Sequence, residues 1–314
     1  MHRLIHGLFL LALPIIVAAY GLSVLSAVLL VLATLLWRLG ITAAGLLMPP
    51  KGPELVLETI SASHFVEKVR WCMDRLGIEY RERPVAGVLG VFFRGRTVPQ
   101  LKVRTGVVTS VIGESPAILR YLWGRYCAEL GEQATFLEPT TERLEMERRI
   151  DDYGRQLQVW VYYRILPSRE LTLHAWGRDS KRIPLYQRWL LVVMFPVLAA
   201  FIRKAFQLNE THFGKAKARI ESLLGDIEAR LDSGQVTIMG GGDIDYTDIA
   251  FASMTGLWLQ PKPYGGGAAD EVMLARDQLP PDMRADVEGW IAKFPKTERF
   301  VQGLYAEERK AESE

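Results

Sequence analysis

Ser63 carries a hydroxyl at the start of a predicted helix, where two kinds of chemistry are open to it. Ser61-Ala62-Ser63 has the composition of a turn and N-cap, and residues 64–76 place apolar side chains at helical spacing. The hydroxyl can cap its own helix by accepting from a backbone N–H. It can also donate to a bound anion, which the positive end of the helix dipole stabilises as well. Ser61 is the reserve candidate for this second role.

Two further segments carry groups that suit a small charged ligand. An X–Pro bond such as Val98-Pro99 is the only common cis peptide bond, and a cis turn exposes the backbone of Val98 to an extended ligand. A trans proline at a strand start is the alternative. Glu114 can bind an ammonium group, and Ser115 at a helix N-terminus can bind a carboxylate. Alternatively, these two residues form a helix cap and bind no ligand.

The elements that position these residues alternate between strand and helix. The patterns predict a strand over 54–60, a helix over 64–76 that stops at Gly77, and a strand over 78–83. Two more strands, over 98–103 and 107–112, are joined by a tight turn, and another helix begins at Ser115. The predicted order is therefore β-α-β, a variable stretch, then β-β-α.

This order and three short motifs resemble the thioredoxin-like N-terminal domain of the glutathione S-transferases. Residues 63–69 read Ser-His-Phe-Val-Glu-Lys-Val, similar to the family segment in which Ser or Cys precedes Pro-Phe and a basic residue follows. Val98-Pro99 resembles the family's Val–cis-Pro step, and residues 113–118 resemble its Glu/Asp-Ser-x-Ala-Ile signature. The resemblance implies an α/β thioredoxin-like domain over 54–128 and an all-α domain over 135–310.

The resemblance also implies glutathione as co-substrate and a role for each candidate residue. A thiolate is the nucleophilic form of a thiol, and Ser63 would stabilise it with a hydrogen bond. The Val98–Pro99 step would hold the cysteinyl part of glutathione, and Glu114–Ser115 the γ-glutamyl part. Arg96 would reach the glycyl carboxylate, or else is a solvated surface arginine. Serine rather than cysteine at position 63 argues against a glutathione-dependent reductase or lyase.

His64 departs from the family pattern, which has proline at this position. Its imidazole could lie beside the sulfur in the substrate pocket, it could loosen the helix start, or it could be a partly exposed turn residue. Cys72 lies on the apolar face of the predicted helix and is interpreted as a buried structural cysteine. Two cysteines, Cys72 and Cys127, exclude a disulfide framework and a thiolate metal site, and no metal is expected.

The all-α domain follows from long helical patterns. Tyr153, Trp160 and Tyr163 lie on a predicted helix over 141–166 that would face the first domain. They are either core residues or contacts of the second substrate, and Tyr153 is the candidate for such a contact. Asp245, with an acid three residues later, predicts an N-cap that begins a buried helix.

Residues 166–208 fit the resemblance least well. The uncharged run 189–202, flanked by basic residues, is too short to span a bilayer. It is interpreted as a buried helix broken at Pro196. Two alternatives stay open, a helix in the membrane interface and part of an apolar co-substrate pocket.

Residues 1–48 are predicted to be a transmembrane anchor, followed by a stiff linker over 49–53. Residues 1–50 contain no acid and no lysine, and Arg3 and Arg38 are their only full charges. The uncharged run 4–37 would make a helix of roughly 51 Å against a hydrocarbon core of about 30 Å. This length suits one tilted span or a hairpin turning at 20–23, which would leave Arg3 and Arg38 on one side. A signal peptide cleaved after 17–19 is a third interpretation.

Composition and resemblance together predict a function. Beyond residue 50, 36 basic side chains balance 36 acidic ones, so bulk charge gives no reason to expect nucleic-acid binding. We expect a membrane-anchored glutathione transferase, with its soluble domains on the cytoplasmic face, that presents glutathione thiolate to a hydrophobic electrophile. Its partners would be glutathione, that electrophile, the lipid bilayer and a second copy in a homodimer. The alternative is a non-catalytic protein of this fold that binds a ligand or partner at the membrane.

Overall fold

The structure is a computed structural model that describes residues 12, 23–47, 52–95, 98–106 and 108–309. The chain divides into two compact units, residues 1–54 with 103–110, and residues 55–102 with 111–314. The helices and strands in chain order are α1 (Val24–Leu47), β1 (Glu54–Thr59), α2 (His64–Leu76), β2 (Arg81–Pro84), α3 (Gly87–Arg94), β3 (Gln100–Thr105), β4 (Val108–Gly113), α4 (Ser115–Leu130), α5 (Thr141–Ile165), α6 (Arg169–Ala175), α7 (Leu185–Ala205), α8 (Glu210–Asp232), α9 (Tyr246–Leu259), α10 (Pro281–Lys293) and α11 (Pro295–Glu307).

Four strands form one sheet in the order β2-β1-β3-β4. β1 and β2 are parallel, with Val56 opposite Arg81 and Thr59 opposite Pro84, and α2 makes the crossover between them. β4 follows β3 after two residues in the sequence. The mixed sheet followed by many helices is consistent with a thioredoxin-like part and an all-α part.

α2 combines an apolar face with a defined end. Val69, Cys72 and Leu76 are almost completely buried. The helix stops at Gly77, whose φ of 66° lies in the left-handed region that glycine adopts without strain. Burial raises the pKa of the Cys72 thiol to about 12, so the thiol stays protonated at neutral pH. Cys72 is therefore a structural core residue, as predicted.

Buried ion pairs join α2 to the helical part. The Lys68 Nζ lies 2.7 Å from a carboxylate oxygen of Glu147 and 2.9 Å from one of Asp151, both on α5. Arg120 of α4 adds a second cation 2.9 Å from Glu147. The Lys68 side chain is fully buried, so these carboxylates rather than water compensate its charge. Losing one partner from such a group leaves an uncompensated buried charge, which is costly.

α9 is the buried helix of the all-α part, and Asp245 caps it. The Asp245 carboxylate accepts from the Thr247 N–H at 2.7 Å, and the Asp248 carboxylate accepts from the Asp245 N–H at 2.9 Å. This reciprocal pair is a capping box, and it confirms the predicted N-cap. α10 contributes Trp290, whose ring lies 5.0 Å from that of Trp160 on α5.

α7 is one continuous helix with Pro196 inside it, so the predicted break at Pro196 is wrong. A helical proline leaves the carbonyl four residues earlier without its N–H donor. Here that carbonyl belongs to Val192, and the Arg169 guanidinium donates to it at 3.2 Å. Residues of α7 on one face pack into a core shared with α3 and α6: Leu191, Phe195, Leu198 and Ile202.

Among the described residues, two helices are long and apolar enough to cross a membrane, judged by length and composition alone. They are the stretch Val24–Ala43 of α1 and the whole of α7. The expectation of a short segment applies to the uncharged run 189–202 alone, whereas the helix that contains this run is longer because it extends into its basic flanks. α1 likewise continues past Arg38 to Leu47. Apart from Ala12, the first arm of the predicted hairpin, its turn up to residue 22 and the 17–19 cleavage site lie outside the described residues.

Candidate functional site

The sheet topology brings three predicted ligand-binding segments to one edge. β1 and β3 run in opposite directions, because Glu54 pairs with Arg104 at 3.7 Å while Glu58 pairs with Lys102. The carboxyl end of β1 therefore lies beside the amino end of β3, and β4 ends at the same edge. The segments at this edge are Ser63 after β1, Val98–Pro99 before β3, and Glu114–Ser115 after β4.

Ser63 is the N-cap of α2, yet its hydroxyl makes no hydrogen bond to that helix. Its backbone is extended, with φ −73° and ψ 122°, and its carbonyl accepts from the Glu67 N–H at 2.9 Å. A cap hydroxyl ordinarily accepts from one of the first helical N–H groups. The interpretation of Ser63 as nothing more than a side-chain cap is therefore not what the structure shows. The Ser63 residue is half-buried and stands at the N-terminus of α2, a position that favours an anion.

Ser115 is the first residue of α4 and is only 2% exposed. Within the described part of the chain its Oγ has no hydrogen-bond partner. Burial of an unpaired hydroxyl costs about 1–3 kcal/mol, so a ligand oxygen that bonded this atom would recover that cost. Ser115 thus has the burial and the helix position expected of a group that receives a carboxylate.

Glu114 holds an unusual backbone conformation beside Ser115. Its φ of 65° lies in the left-handed region that residues other than glycine rarely adopt, and such residues cluster at ligand sites. Its exposed side chain makes no bond to α4, so the alternative of a capping pair is not observed. An exposed carboxylate at this edge can accept hydrogen bonds from an ammonium group.

The remaining binding candidates are placed as follows. The Val98–Pro99 peptide bond is cis, in agreement with the resemblance. Pro99 is buried and Val98 is half-buried. Ser61, the reserve candidate, is also buried, and its Oγ has no partner among the described residues. Arg96 lies outside the described residues, so its role stays a prediction.

His64 is buried and bonded to α5, so the interpretation of a partly exposed turn residue is wrong, while its effect on the mobility of the helix start stays a prediction. Its Nε2 lies 3.0 Å from the Gly154 carbonyl oxygen, to which it donates. Burial lowers the pKa of the imidazole to about 4, so the ring is neutral at neutral pH. Glycine at 154 leaves room for this packing, because a Cβ there would lie 2.7 Å from the Met254 sulfur, 2.9 Å from the Phe65 ring and 3.3 Å from the His64 ring.

An apolar cavity of about 140 Å³ lies beside Ser63 and His64. Its volume is about that of an engineered protein cavity that holds benzene. Most of the wall is aliphatic or aromatic. The lining residues are Ile60, Ala62, Ser63, His64, Gly87, Val88, Gln158, Val161, Tyr162, Ile165, Ala175, Trp176, Leu257, Gln260, Val272, Met273, Leu274, Leu279 and Met283.

Tyr153 does not belong to this wall, as far as the described residues define it, which corrects its proposed substrate contact. The Tyr153 hydroxyl accepts from the Trp258 indole N–H at 2.9 Å and lies 3.2 Å from the Thr255 hydroxyl. Its ring stacks on Phe251 in the helical core. α5 instead presents another face to the cavity, with residues three and four apart: Gln158, Val161, Tyr162 and Ile165.

Trp176 and Tyr162 are wall residues that sequence reasoning missed. Trp176 follows α6 within the segment that fits the resemblance least well. Among the residues that line this cavity none belongs to the run 189–202, so the cavity does not support the alternative that this run forms part of a co-substrate pocket. No periodicity signal distinguishes Tyr162 from Tyr163 beside it. Tyr163 stacks on Phe213 with ring centroids 4.2 Å apart.

The arrangement suits a peptide-like ligand that carries a thiol, an ammonium group and a carboxylate. Hydroxyls and helix N-termini provide hydrogen-bond donors, Glu114 provides an acceptor, and the cavity provides an apolar neighbour. Across the described residues, no group of three or more His, Cys, Asp or Glu could hold a metal ion.

Comparisons with known proteins find similarity only among solved structures. No family model and no curated protein matches the chain. A glutathione S-transferase of Methylobacterium radiotolerans, in complex with glutathione sulfonate, is 16% identical, with a TM-score of 0.49 over 83% of this chain and 94% of its own. The theta class glutathione S-transferase of Xanthomonas axonopodis pv. citri, with glutathione bound, is 19% identical, with a TM-score of 0.38 over 79% and 97%.

A third similar structure is a glutathione transferase family member of Pseudomonas fluorescens Pf-5 with bound S-(propanoic acid)-glutathione. It is 15% identical, with a TM-score of 0.45 over 82% of this chain and all of its own. These identities and TM-scores are low, so the function of this chain has to be inferred from its own residues.

Proposed function

We propose that this protein is a membrane-anchored glutathione transferase that presents glutathione thiolate to a small apolar electrophile. The observation that carries the proposal is the Ser63 hydroxyl, which stands at the start of α2 without bonding to it and borders an apolar cavity. A donor at a helix N-terminus beside an apolar cavity is what a thiolate nucleophile and an apolar co-substrate require.

Glutathione binding would use the edge where the three segments meet. The buried Ser115 hydroxyl and the N-terminus of α4 would bind the γ-glutamyl carboxylate, and Glu114 would accept from the γ-glutamyl ammonium group. The backbone of Val98 would pair with the cysteinyl residue as a strand does. These contacts would place the thiol near Ser63.

Ser63 would act by favouring the charged form of the sulfur. A hydrogen bond to a charged group contributes about 1.5–3 kcal/mol, which lowers a thiol pKa by about 1–2 units. The proton leaves to solvent, because the buried, neutral His64 is too weak a base to hold it at neutral pH. The thiolate then forms a C–S bond with the electrophile, whose leaving group or conjugated system takes the displaced electron pair.

The second substrate is proposed to be a compact apolar electrophile. Trp176 and Tyr162 offer aromatic surfaces in the cavity, and aliphatic side chains make up most of the rest of the wall. The volume of about 140 Å³ suits a group of roughly benzene size. An apolar compound of this kind partitions into lipid, where a membrane-anchored enzyme would meet it.

Conjugation by the full chain in nanodiscs tests this proposal. Calorimetry measures the binding of glutathione. The rate of conjugation is measured with chlorodinitrobenzene as the electrophile. Ser63→Ala is expected to reduce kcat/KM about 10- to 100-fold with little change in glutathione affinity, while Ser63→Thr keeps part of the rate. If the wild type shows no binding at millimolar concentrations of glutathione, the proposed glutathione site is refuted. Binding without conjugation, in a panel of apolar electrophiles, would favour the non-catalytic alternative.

A further inference from the structure

α7 has an apolar face that the described part of the protein does not cover. At about 100° per residue, its buried residues and its most exposed apolar residues lie on opposite sides of the helix. The buried side packs into the core with α3 and α6. The exposed side chains, each 53–75% accessible, are Leu185, Tyr186, Trp189, Val193 and Val197.

The charge of the α7 segment has one sign. Residues 180–209 contain no Asp or Glu, although residues 51–314 as a whole are balanced in charge. Two of the basic residues precede α7 and two lie in its last turn, so basic groups bracket the apolar face at both ends. The five are Lys181, Arg182, Arg188, Arg203 and Lys204.

We propose that this face of α7 lies in the interface of an anionic phospholipid membrane, with the helix parallel to the membrane surface. Apolar side chains between basic ends are the composition of an interfacial helix, in which lysine and arginine reach the phosphates. Trp189 and Tyr186 have rings that favour headgroup depth. The packing of Leu191 and Ile202 on the other side keeps α7 on the protein, so the helix lies on the membrane and does not cross it.

The charge pattern favours a lipid surface over a second copy of the chain. A symmetric contact through this face would bring two basic segments together. Neither segment carries an acid to compensate the other. An anionic bilayer supplies that compensation at Arg203 and Lys204 in the last turn, whereas Arg182 before the helix already interacts with Glu271. The inference rests on α7 alone and holds whether or not the protein binds glutathione.

Spin labels on the full chain in liposomes test the proposal. A Cys127→Ser background receives a nitroxide at Val193→Cys or Val197→Cys, and Ser222→Cys, exposed on α8, serves as the matched control. Collision rates with oxygen, which concentrates in lipid, and with a water-soluble nickel chelate report immersion. Liposomes of phosphatidylcholine alone are compared with liposomes that contain phosphatidylglycerol.

In phosphatidylglycerol liposomes the α7 labels are expected to lose nickel collisions at least about 3-fold and gain oxygen collisions, while the Ser222 label stays aqueous. The double variant Arg203→Glu and Lys204→Glu, with unchanged circular dichroism, is expected to lose this protection. Labels as aqueous as the control, or equal immersion in phosphatidylcholine alone, would overturn the proposal. Dipolar coupling between labels on two copies, without lipid protection, would show that a second chain covers the face.

Discussion

Ser63, Ser115 and His64 belong to the site in three different ways. Ser63 is half-exposed and free of its own helix, Ser115 is buried without a partner among the described residues, and His64 is buried and bonded to Gly154. Residue type and spacing were enough to single out both serines, because the start of a helix is a local feature of sequence. The burial of His64 could not be predicted in this way, since its partner lies 90 positions away.

The unpaired hydroxyl of Ser115 leads to a prediction that separates binding from stability. Ser115→Ala should weaken glutathione binding about 10-fold, because one hydrogen bond to a charged group is lost. The free energy of unfolding should stay unchanged or rise, because no partner in the described part of the protein loses a bond. Calorimetry and urea unfolding measure the two effects. A loss of stability with unchanged affinity would show that the hydroxyl serves the fold and not a ligand.

The buried imidazole of His64 leads to a prediction about pH. The unfolded chain takes up a proton at His64 below about pH 6.5, whereas the folded protein does so only near pH 4. The free energy of unfolding should therefore fall as the pH drops through this window, by about 2 kcal/mol at about pH 5.

His64→Gln keeps an amide donor for Gly154 and cannot titrate. The difference in unfolding free energy between wild type and variant should therefore change by that amount between about pH 7 and pH 5, since the other titrating groups are common to both. Urea unfolding at the two pH values gives the difference. If the unfolding free energies of the wild type and of His64→Gln change in parallel with pH, His64 is not the group with the lowered pKa.

At the scale of elements, the strand and helix order of the α/β part was predictable, but three features were not. α3 lies in the stretch that had no assigned structure, because eight residues give too few turns for a periodic signal. α7 passes through Pro196 because a side chain from α6, Arg169, takes up the freed carbonyl. The cavity-facing side of α5 is set by packing, which periodicity within one helix does not reveal.

The buried pairs between α2 and α5 are expected to matter far more than a surface pair of similar geometry. Lys68→Ala should lower the free energy of unfolding by about 3–5 kcal/mol, because Glu147 and Asp151 lose their buried cation. Arg125→Ala removes an exposed ion pair with Glu129 and should change the free energy of unfolding by less than about 1 kcal/mol. Urea unfolding of both variants gives the two changes in free energy. Equal changes would contradict the claim that the buried ion pairs contribute more to stability than the exposed one.

At the scale of the whole molecule, charge is distributed unevenly along the chain. The first 50 residues hold only two full charges, the segment 180–209 is purely basic, and the rest compensates. This unevenness was visible in the sequence and led to the prediction of an anchor. The exposed side of α7 could not be identified from the sequence, because the sequence alone does not show which face of the helix the core covers.

Two modes of membrane attachment are expected, and salt should separate them. The full chain should stay with membranes in about 1 M salt, because an apolar α1 does not depend on charge. The triple variant Leu29→Asp, Leu32→Asp and Leu36→Asp should weaken the attachment through α1. Its remaining attachment would be through α7, and salt should release it. Sedimentation of isolated membranes measures both. Complete release of the wild type by salt would contradict anchoring by α1.

The pKa of the glutathione thiol bound to the full chain tests the central claim most directly, and thiolate absorbance in the ultraviolet measures it. The account predicts a bound thiol whose pKa lies about 1–2 units below that of free glutathione. Ser63→Ala should return it toward the free value, while Ser61→Ala should leave it low. An unshifted thiol in the wild type, or a thiol equally shifted in Ser63→Ala, would contradict the assignment of Ser63 as the group that stabilises the thiolate.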